Sequence, residues 1–236
     1  MPYAHYKPYR YQPFLIMLYM TLITTVSVLS NKIITIDGHI TMAGTLFIPF
    51  WFLLSDIITE IYGYKISRKV IWLGFFCHFI FSVLCTIALT IPSPAFWHGQ
   101  SAYQLVLGDL IRINLSGVIA YIISGTLNIY LLTQWKFLLK GKYFWLRSFF
   151  ASTIGELIYT ILAVIMIQYH ILTWNEMKNI IITSYSIKIL CTLFSTLPAN
   201  VIVNFLKINE VTPYVKDTIN PFKRNIGNSD KQEQPK

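Results

Sequence analysis

The sequence predicts an all-α integral membrane protein with six transmembrane helices. Apolar residues make up 55% of the 236 residues and charged residues only 12%, whereas soluble domains carry about 25% charged residues. A membrane-spanning helix needs roughly 20 apolar residues. Stretches without Asp, Glu, Lys or Arg reach that length at Tyr11–Asn31, between Lys69 and Asp109, and at Ile113–Trp135, Leu157–Asn175 and Ile189–Leu206. The basic residues collect between these stretches, as they do in the loops of multi-pass membrane proteins.

The uncharged stretches and their flanks place the six helices in order. We expect them at about 13–31, 41–62, 69–92, 103–135, 146–172 and 178–206. Residues 13–206 then form one transmembrane domain between an N-terminal tail (1–12) and a polar, disordered C-terminal tail (207–236). The fourth helix is longer than a bilayer requires, so we expect a break near Gly108 or Arg112. Pro49 and Pro198 lie inside the second and sixth predicted helices and are expected to kink them.

The distribution of basic residues predicts the orientation of the chain. Fifteen of the 19 Lys and Arg residues fall in the two tails and in the loops after the second and fourth helices. Because positive loops stay in the cytoplasm, both termini should be cytoplasmic. The opposite loops carry Asp37, His98, Glu176 and Lys178. The net charge of +9 therefore reports topology, and no nucleic-acid partner is expected. Membrane lipid is the expected surrounding.

Four polar residues on four different helices should lie at a similar depth in the membrane. Asp56, Asn128, Glu156 and Lys188 each lie several residues from the end of a predicted helix, and each residue adds about 1.5 Å of depth. Ionisable residues inside a membrane mark substrate or ion paths in most proteins that contain them. The alternative is that Lys188 is neutralised by Asp56 or Glu156 and that the pair only holds helices together.

Glu60 lies four residues after Asp56, on the same face of the second helix. It is close to the predicted helix end at Tyr62 and Gly63. It should therefore reach interfacial water and pair with Lys65 or Arg68, unless it belongs to the same membrane site as Asp56. Arg112 begins the fourth helix and should lie near the outer face.

The sequence contains no motif of a known catalytic or cofactor site. It lacks H-E-x-x-H, G-x-S-x-G and a Walker loop, and its three cysteines have no metal-ligand or disulfide spacing. We therefore expect no enzymatic activity, no cofactor and no metal.

Several blocks of the sequence resemble the queuosine precursor transporter family, the YhhQ-like vitamin uptake transporters. The more specific ones are "LLSDIITEIYGYKISRKVIWLGF" (Leu53–Phe75) and "KGKYFWLRSFFASTIGELIYT" (Lys140–Thr160). Weaker ones are "PSPAFW" (Pro92–Trp97), "IRINLSGVIAYIISGTLNIYLL" (Ile111–Leu132) and "YSIKILCTLFSTLP" (Tyr185–Pro198). The resemblance implies a fold similar to the S components of energy-coupling-factor transporters. It also implies import of 7-deazaguanine bases across the bacterial inner membrane for queuosine in tRNA.

The resemblance also implies a set of site residues. The family's polar positions match Asn31, Asp56, Glu60, Arg112, Ser116, Asn128, Arg147, Gly155, Glu156 and Lys188. We expect substrate binding by Asp56, Asn128, Glu156, Lys188 and Arg112, with Tyr159 and Tyr185 as stacking platforms, and coupling or gating by Glu60, Asn31 and Arg147. The family commonly has Asp where this chain has Tyr159, so another base of the class, such as queuine, is an open alternative.

Two other functions remain open at this level. The chain could be the substrate-binding S component of a multi-subunit importer, or a membrane enzyme or assembly factor. The S components carry A-x-x-x-A in the first helix, but no Ala occurs here between Ala4 and Ala43. We therefore expect transport without an obligatory ATPase partner.

Overall fold

The computed structural model of the protein describes residues 9–36, 38–169 and 172–210. In order, the helices are α1 (Gln12–Leu29), α2 (Ile48–Tyr62), α3 (Tyr64–Thr90), α4 (Gln100–Leu107), α5 (Leu110–Leu138), α6 (Phe144–Gln168) and α7 (Trp174–Asn209). Strands β1 (Ile33–Ile36) and β2 (His39–Met42) and a 3-10 helix (Ala43–Leu46) connect α1 to α2. Within the described residues, six helical segments are long and apolar enough to cross a membrane, which confirms the predicted all-α membrane fold.

The segment between α1 and α2 differs from the prediction. The second helix was expected to begin at about residue 41, but β1 and β2 form an antiparallel hairpin in which Ile33 pairs with Met42. An Asp-Gly pair between two short segments rich in β-branched residues favours such a turn, and Gly38 has a φ of +80°. Asp37 lies outside the described residues. The helix α2 begins only at Ile48, so Pro49 occupies its first turn, where no intrahelical hydrogen bond is lost. The prediction of a kink at Pro49 is therefore wrong.

Helix α2 lies at the centre of the bundle. It packs against α1, α3, α5, α6 and α7, and every residue of α2 except Phe50 is buried. An all-round apolar helix is stable where protein surrounds it, and here its polar residues are buried as well. Any polar group on α2 must therefore find its partners on the neighbouring helices.

The other helices follow the prediction with shifted ends. The fourth predicted helix is divided into α4 and α5 at Gly108 and Asp109, one of the two expected places. Pro198 lies inside α7 as predicted. Helix α7 continues to Asn209, past the predicted end at residue 206, and Glu210 is buried after it. Residues 1–8 and 211–236 of the predicted tails lie outside the described residues.

The six segments cross the bundle in alternating directions. Helices α2, α5 and α7 therefore end on the side where α3 and α6 begin. We call this side the basic end, because Lys136, Arg147 and Lys207 meet there around Glu60. The other side carries the strands and is called the hairpin end.

Candidate functional site

Asp56 lies at the centre of a buried network between α2, α5 and α6. Its Oδ1 accepts a hydrogen bond from Asn128 Nδ2 at 2.5 Å. Its Oδ2 accepts from Ser148 Oγ at 2.5 Å and from Ser152 Oγ at 2.8 Å. The two serines are four residues apart and share one face of α6. The structure thus brings Asp56 and Asn128 together, although no cation lies within 4.0 Å of Asp56 among the described residues.

Glu156 and Lys188 lie on neighbouring helices but do not form an ion pair. Both carboxylate oxygens of Glu156 accept from the Thr192 hydroxyl, at 2.9 and 3.0 Å. The Lys188 ammonium instead donates to Thr160 Oγ1 at 2.8 Å and lies 4.9 Å from the centre of the Tyr159 ring. Within the described part of the chain, Lys188 makes no ion pair shorter than 4.0 Å. Lys188 therefore makes no direct ion pair with Asp56 or Glu156, although its charge lies close enough to Glu156 to act on that carboxylate.

An aromatic layer lies beside this network, toward the hairpin end. The Trp51 and Tyr121 rings stack with centroids 3.7 Å apart and an interplanar angle of 15°. Phe52 packs edge-on against Tyr121 at 5.2 Å and against Tyr159 at 6.1 Å. Tyr19 of α1 lies 5.9 Å from Trp51 and completes the layer. Flat aromatic faces are the usual surface on which proteins hold planar heterocycles.

Sequence reasoning named Tyr159 for this layer but missed Trp51, Phe52 and Tyr19. Spacing could have found two of the layer's residues. Phe52 lies four residues before Asp56, and Tyr121 lies seven before Asn128, so each pair shares a helix face. Trp51 and Tyr19 carry no comparable signal, because their places depend on how α1 and α2 are rotated in the bundle.

Gly155 allows α5 and α6 to come close at the site. A Cβ atom at this position would lie 2.9 Å from the Phe52 ring and 3.1 Å from Asn128 Cβ. Both distances are shorter than ordinary van der Waals contact, so a larger residue would push the helices apart. A glycine here brings the Asn128 amide within reach of Asp56.

Glu60 belongs to a second polar cluster, at the basic end. Its carboxylate, fully buried, lies 3.2 Å from Arg147, 3.4 Å from Lys136 and 2.7 Å from Lys207. The expected partners Lys65 and Arg68 are exposed instead. The expectation of an interfacial acid paired with α3 was therefore wrong, because the face of α2 that carries Glu60 points toward α5, α6 and α7.

Arg147 is also buried, at 1% exposure. It donates to the Lys142 carbonyl at 3.0 Å and to Gly141 O at 3.5 Å, in addition to Glu60. One carboxylate thus holds together the ends of four helices, and Arg147 also ties the turn before α6 to this cluster.

Three other predicted residues make no hydrogen bond to Asp56 or its partners. Arg112 pairs with Asp109 at 3.3 Å and donates to the Ile167 carbonyl at 2.8 Å, at the hairpin end. Asn31 donates to Val106 O at 2.6 Å, also at that end. Tyr185 donates to the Thr153 carbonyl at 3.3 Å, one turn of α6 from Glu156. Of these, only Tyr185 is placed beside the network.

The network is closed in this structure. Asp56, Asn128 and Glu156 are all at 0% exposure, and Lys188 is at 2%. The carboxyl groups of Asp56 and Glu156 accept hydrogen bonds from neutral donors and place acceptor oxygens on two helices, with the Lys188 ammonium nearby. A molecule can reach them only if side chains or helices move.

Comparison with known proteins agrees with this picture. Residues 42–203 match the family described as "Putative vitamin uptake transporter". The chain is 25% identical over 171 residues to a "Probable queuosine precursor transporter" of Bacillus subtilis (strain 168), covering 70% of this chain and 72% of that protein. No solved structure matches the chain. The family match covers most of the membrane domain, including the Asp56 network and Glu60, and the chain is therefore a multi-pass membrane protein that belongs to the vitamin uptake transporter family.

Proposed function

We propose that the protein imports queuosine precursors, 7-deazaguanine bases such as 7-cyano-7-deazaguanine, 7-aminomethyl-7-deazaguanine or queuine. The observation that carries the proposal is the buried acceptor network of Asp56, Asn128 and Glu156 beside an aromatic layer. The name of the Bacillus subtilis relative points to the same class of substrate.

The chemistry of the base complements that of the site. A 7-deazaguanine presents adjacent N1–H and amino donors on one edge and a carbonyl acceptor at O6. Acceptors on Asn128 and Glu156, with Asp56 beside Asn128, suit the donor edge, and the Lys188 ammonium suits O6. The flat bicycle can stack on rings of the aromatic layer, where base–ring contacts contribute about 1–3 kcal/mol each.

The proposal also concerns which 7-deazaguanine base the protein transports. Tyr159 is buried beside Lys188, where the resemblance implied an acidic residue. A ring in that place offers apolar surface rather than a second negative charge. We therefore propose that the chain accepts a base with an uncharged 7-substituent, such as 7-cyano-7-deazaguanine, at least as well as the bases with a cationic aminomethyl-type substituent.

We further propose that the basic end faces the cytoplasm of a bacterium, with both termini on that side of the inner membrane. The positive charge of the loops supports this orientation. We also propose that import needs no ATPase subunit, because α1 lacks the small-residue motif of S components. Uptake in cells that contain no energy-coupling-factor ATPase tests this point directly.

The experiment that tests the function is uptake in a cell that cannot make queuosine precursors. Expression of the protein with each base in the medium should restore queuosine in tRNA, and Asp56→Asn or Glu156→Gln should reduce the restoration. The matched control is Asp109→Asn, which changes an exposed carboxylate and should transport normally. The proposal fails if the wild type restores no queuosine with any base, or if both site variants transport like the wild type.

A further inference from the structure

Most of the buried polar atoms that lack a partner collect in one part of the bundle. Among the described residues, six buried side-chain atoms make no hydrogen bond of ordinary length and angle: Tyr19 Oη, Trp51 Nε1, His78 Nδ1, Tyr121 Oη, Ser124 Oγ and Asn128 Oδ1. All except the histidine belong to the aromatic layer or to the α5 face that continues from it, and the polar atoms of Tyr19, Trp51 and Tyr121 lie close enough to interact with one another. Ser124 Oγ and Asn128 Oδ1 are therefore the acceptors left for another polar molecule, and a buried polar group without a partner costs about 1–3 kcal/mol.

The hydrogen bond to Asp56 sets the orientation of the Asn128 side-chain amide. The Asn128 amide directs its Nδ2 toward Asp56 Oδ1, at 2.5 Å. The carbonyl oxygen Oδ1 is then directed elsewhere and remains an unused acceptor. Asp56 itself already accepts from Ser148 and Ser152. It is therefore better placed to orient Asn128 than to bind a base directly.

The α5 face lines up with the stacked rings. Tyr121, Ser124 and Asn128 are spaced three and four residues apart, so they share one face over about 10 Å. Side chains on a helix lean toward its N-terminus, which directs Asn128 toward Ser124 and Tyr121. The Trp51 ring lies on Tyr121 at 3.7 Å, and both residues are at most 3% exposed.

We infer that the base lies between the Trp51 and Tyr121 rings, which separate to admit it, and that Asn128 Oδ1 accepts its N1–H. The Ser124 hydroxyl and the Trp51 indole N–H bind the remaining polar atoms of its edge. Asp56 is then a positioning residue that presents the carbonyl side of Asn128. This inference rests on the proposed function. It makes Asn128 the specificity-determining residue, because an adenine-type base has an unprotonated N1 that would face the same acceptor.

The variant that tests the inference most directly is Ser124→Ala. Its hydroxyl has no partner in the described part of the protein, so its removal should leave the melting temperature without base unchanged or higher. The affinity for 7-deazaguanine, measured by calorimetry on the purified full-length protein, should fall about tenfold. The control is Ser186→Ala, whose exposed hydroxyl bonds the Ile182 carbonyl of its own helix. A purely structural serine would give the opposite result, a lower melting temperature with unchanged affinity.

The role of Asp56 is tested by selectivity. With Asn at position 56, the neighbouring amide is free to present Nδ2 instead of Oδ1, so the preference for 7-deazaguanine over 7-deazaadenine should fall about tenfold. A change that only loosened the fold would weaken both bases equally. Trp51→Phe, which keeps a ring but removes the N–H donor, should weaken both bases and reduce the fluorescence change on binding.

The outcomes separate the two proposals. If the wild-type protein binds none of the deazaguanine bases, both the proposed function and the inferred position of the base are wrong. If the wild type binds them but Ser124→Ala and Trp51→Phe bind as tightly, the inference is overturned while the proposed function stands. The positioning role of Asp56 is likewise overturned if Asp56→Asn retains the wild-type ratio of the two affinities.

Discussion

Replacing Glu60 with Gln should destabilise the protein strongly. The carboxylate is fully buried among Lys136, Arg147 and Lys207, and the Arg147 side chain is itself only 1% exposed. Removal of one member of a buried ion pair leaves a charge without compensation, at a cost of about 3–5 kcal/mol. Arg147 keeps its bonds to the Lys142 and Gly141 carbonyls, and Lys136 keeps the Glu60 carbonyl at 2.7 Å. We therefore expect the lower value, about 3 kcal/mol.

The assay is thermal unfolding of the purified protein in one detergent. For a chain of this length, 1 kcal/mol corresponds to about 2–4 °C, so the melting temperature of Glu60→Gln should fall by roughly 6–12 °C. The control is Asp109→Asn, which breaks an ion pair whose side chains are 44% and 65% exposed. Exposed pairs contribute about 0–1 kcal/mol, so this variant should melt close to the wild type.

A second variant separates charge from packing. In Glu60→Gln with Arg147→Met, the buried cation is removed together with its partner. The combined loss of stability should therefore be smaller than the sum of the two single losses. The reasoning is refuted if Glu60→Gln melts like Asp109→Asn, or if the two single losses simply add.

Three further substitutions test other parts of the structure. Gly155→Ala should lower both the melting temperature and uptake, because its Cβ would lie 2.9 Å from the Phe52 ring. The control is Gly117→Ala, whose Cβ would meet its nearest atom at 3.5 Å. Equal losses in the two variants would contradict the close packing at Gly155. Pro198→Ala should raise the melting temperature, since proline inside a helix costs about 3 kcal/mol. A lower melting temperature would show that the proline is required for packing. Tyr159→Leu should weaken binding of the base more than Tyr159→Phe, because phenylalanine keeps the ring that lies 4.9 Å from the Lys188 ammonium. If both variants lose the same affinity, the hydroxyl rather than the ring is responsible.

The composition and charge distribution were sufficient for the fold class and for the depth of the polar residues. Depth along a helix is proportional to residue number, at about 1.5 Å per residue, so residue numbers alone place Asp56 and Asn128 at one level. The excess length of the fourth predicted helix likewise indicated a break near Gly108 or Arg112, and the structure has it at Gly108 and Asp109. Spacing by four also put Asp56 and Glu60 on one face of α2.

The partners of these residues were decided only by the tertiary structure. The sequence neighbours Lys65 and Arg68 were the obvious cations for Glu60, but the rotation of α2 in the bundle turns its carboxylate toward Lys136, Arg147 and Lys207. That rotation depends on how every helix packs against α2, which local spacing does not contain. For the same reason the stacking of Trp51 on Tyr121 could not be predicted. Sequence determines how deep a side chain lies, and helix packing determines what it faces.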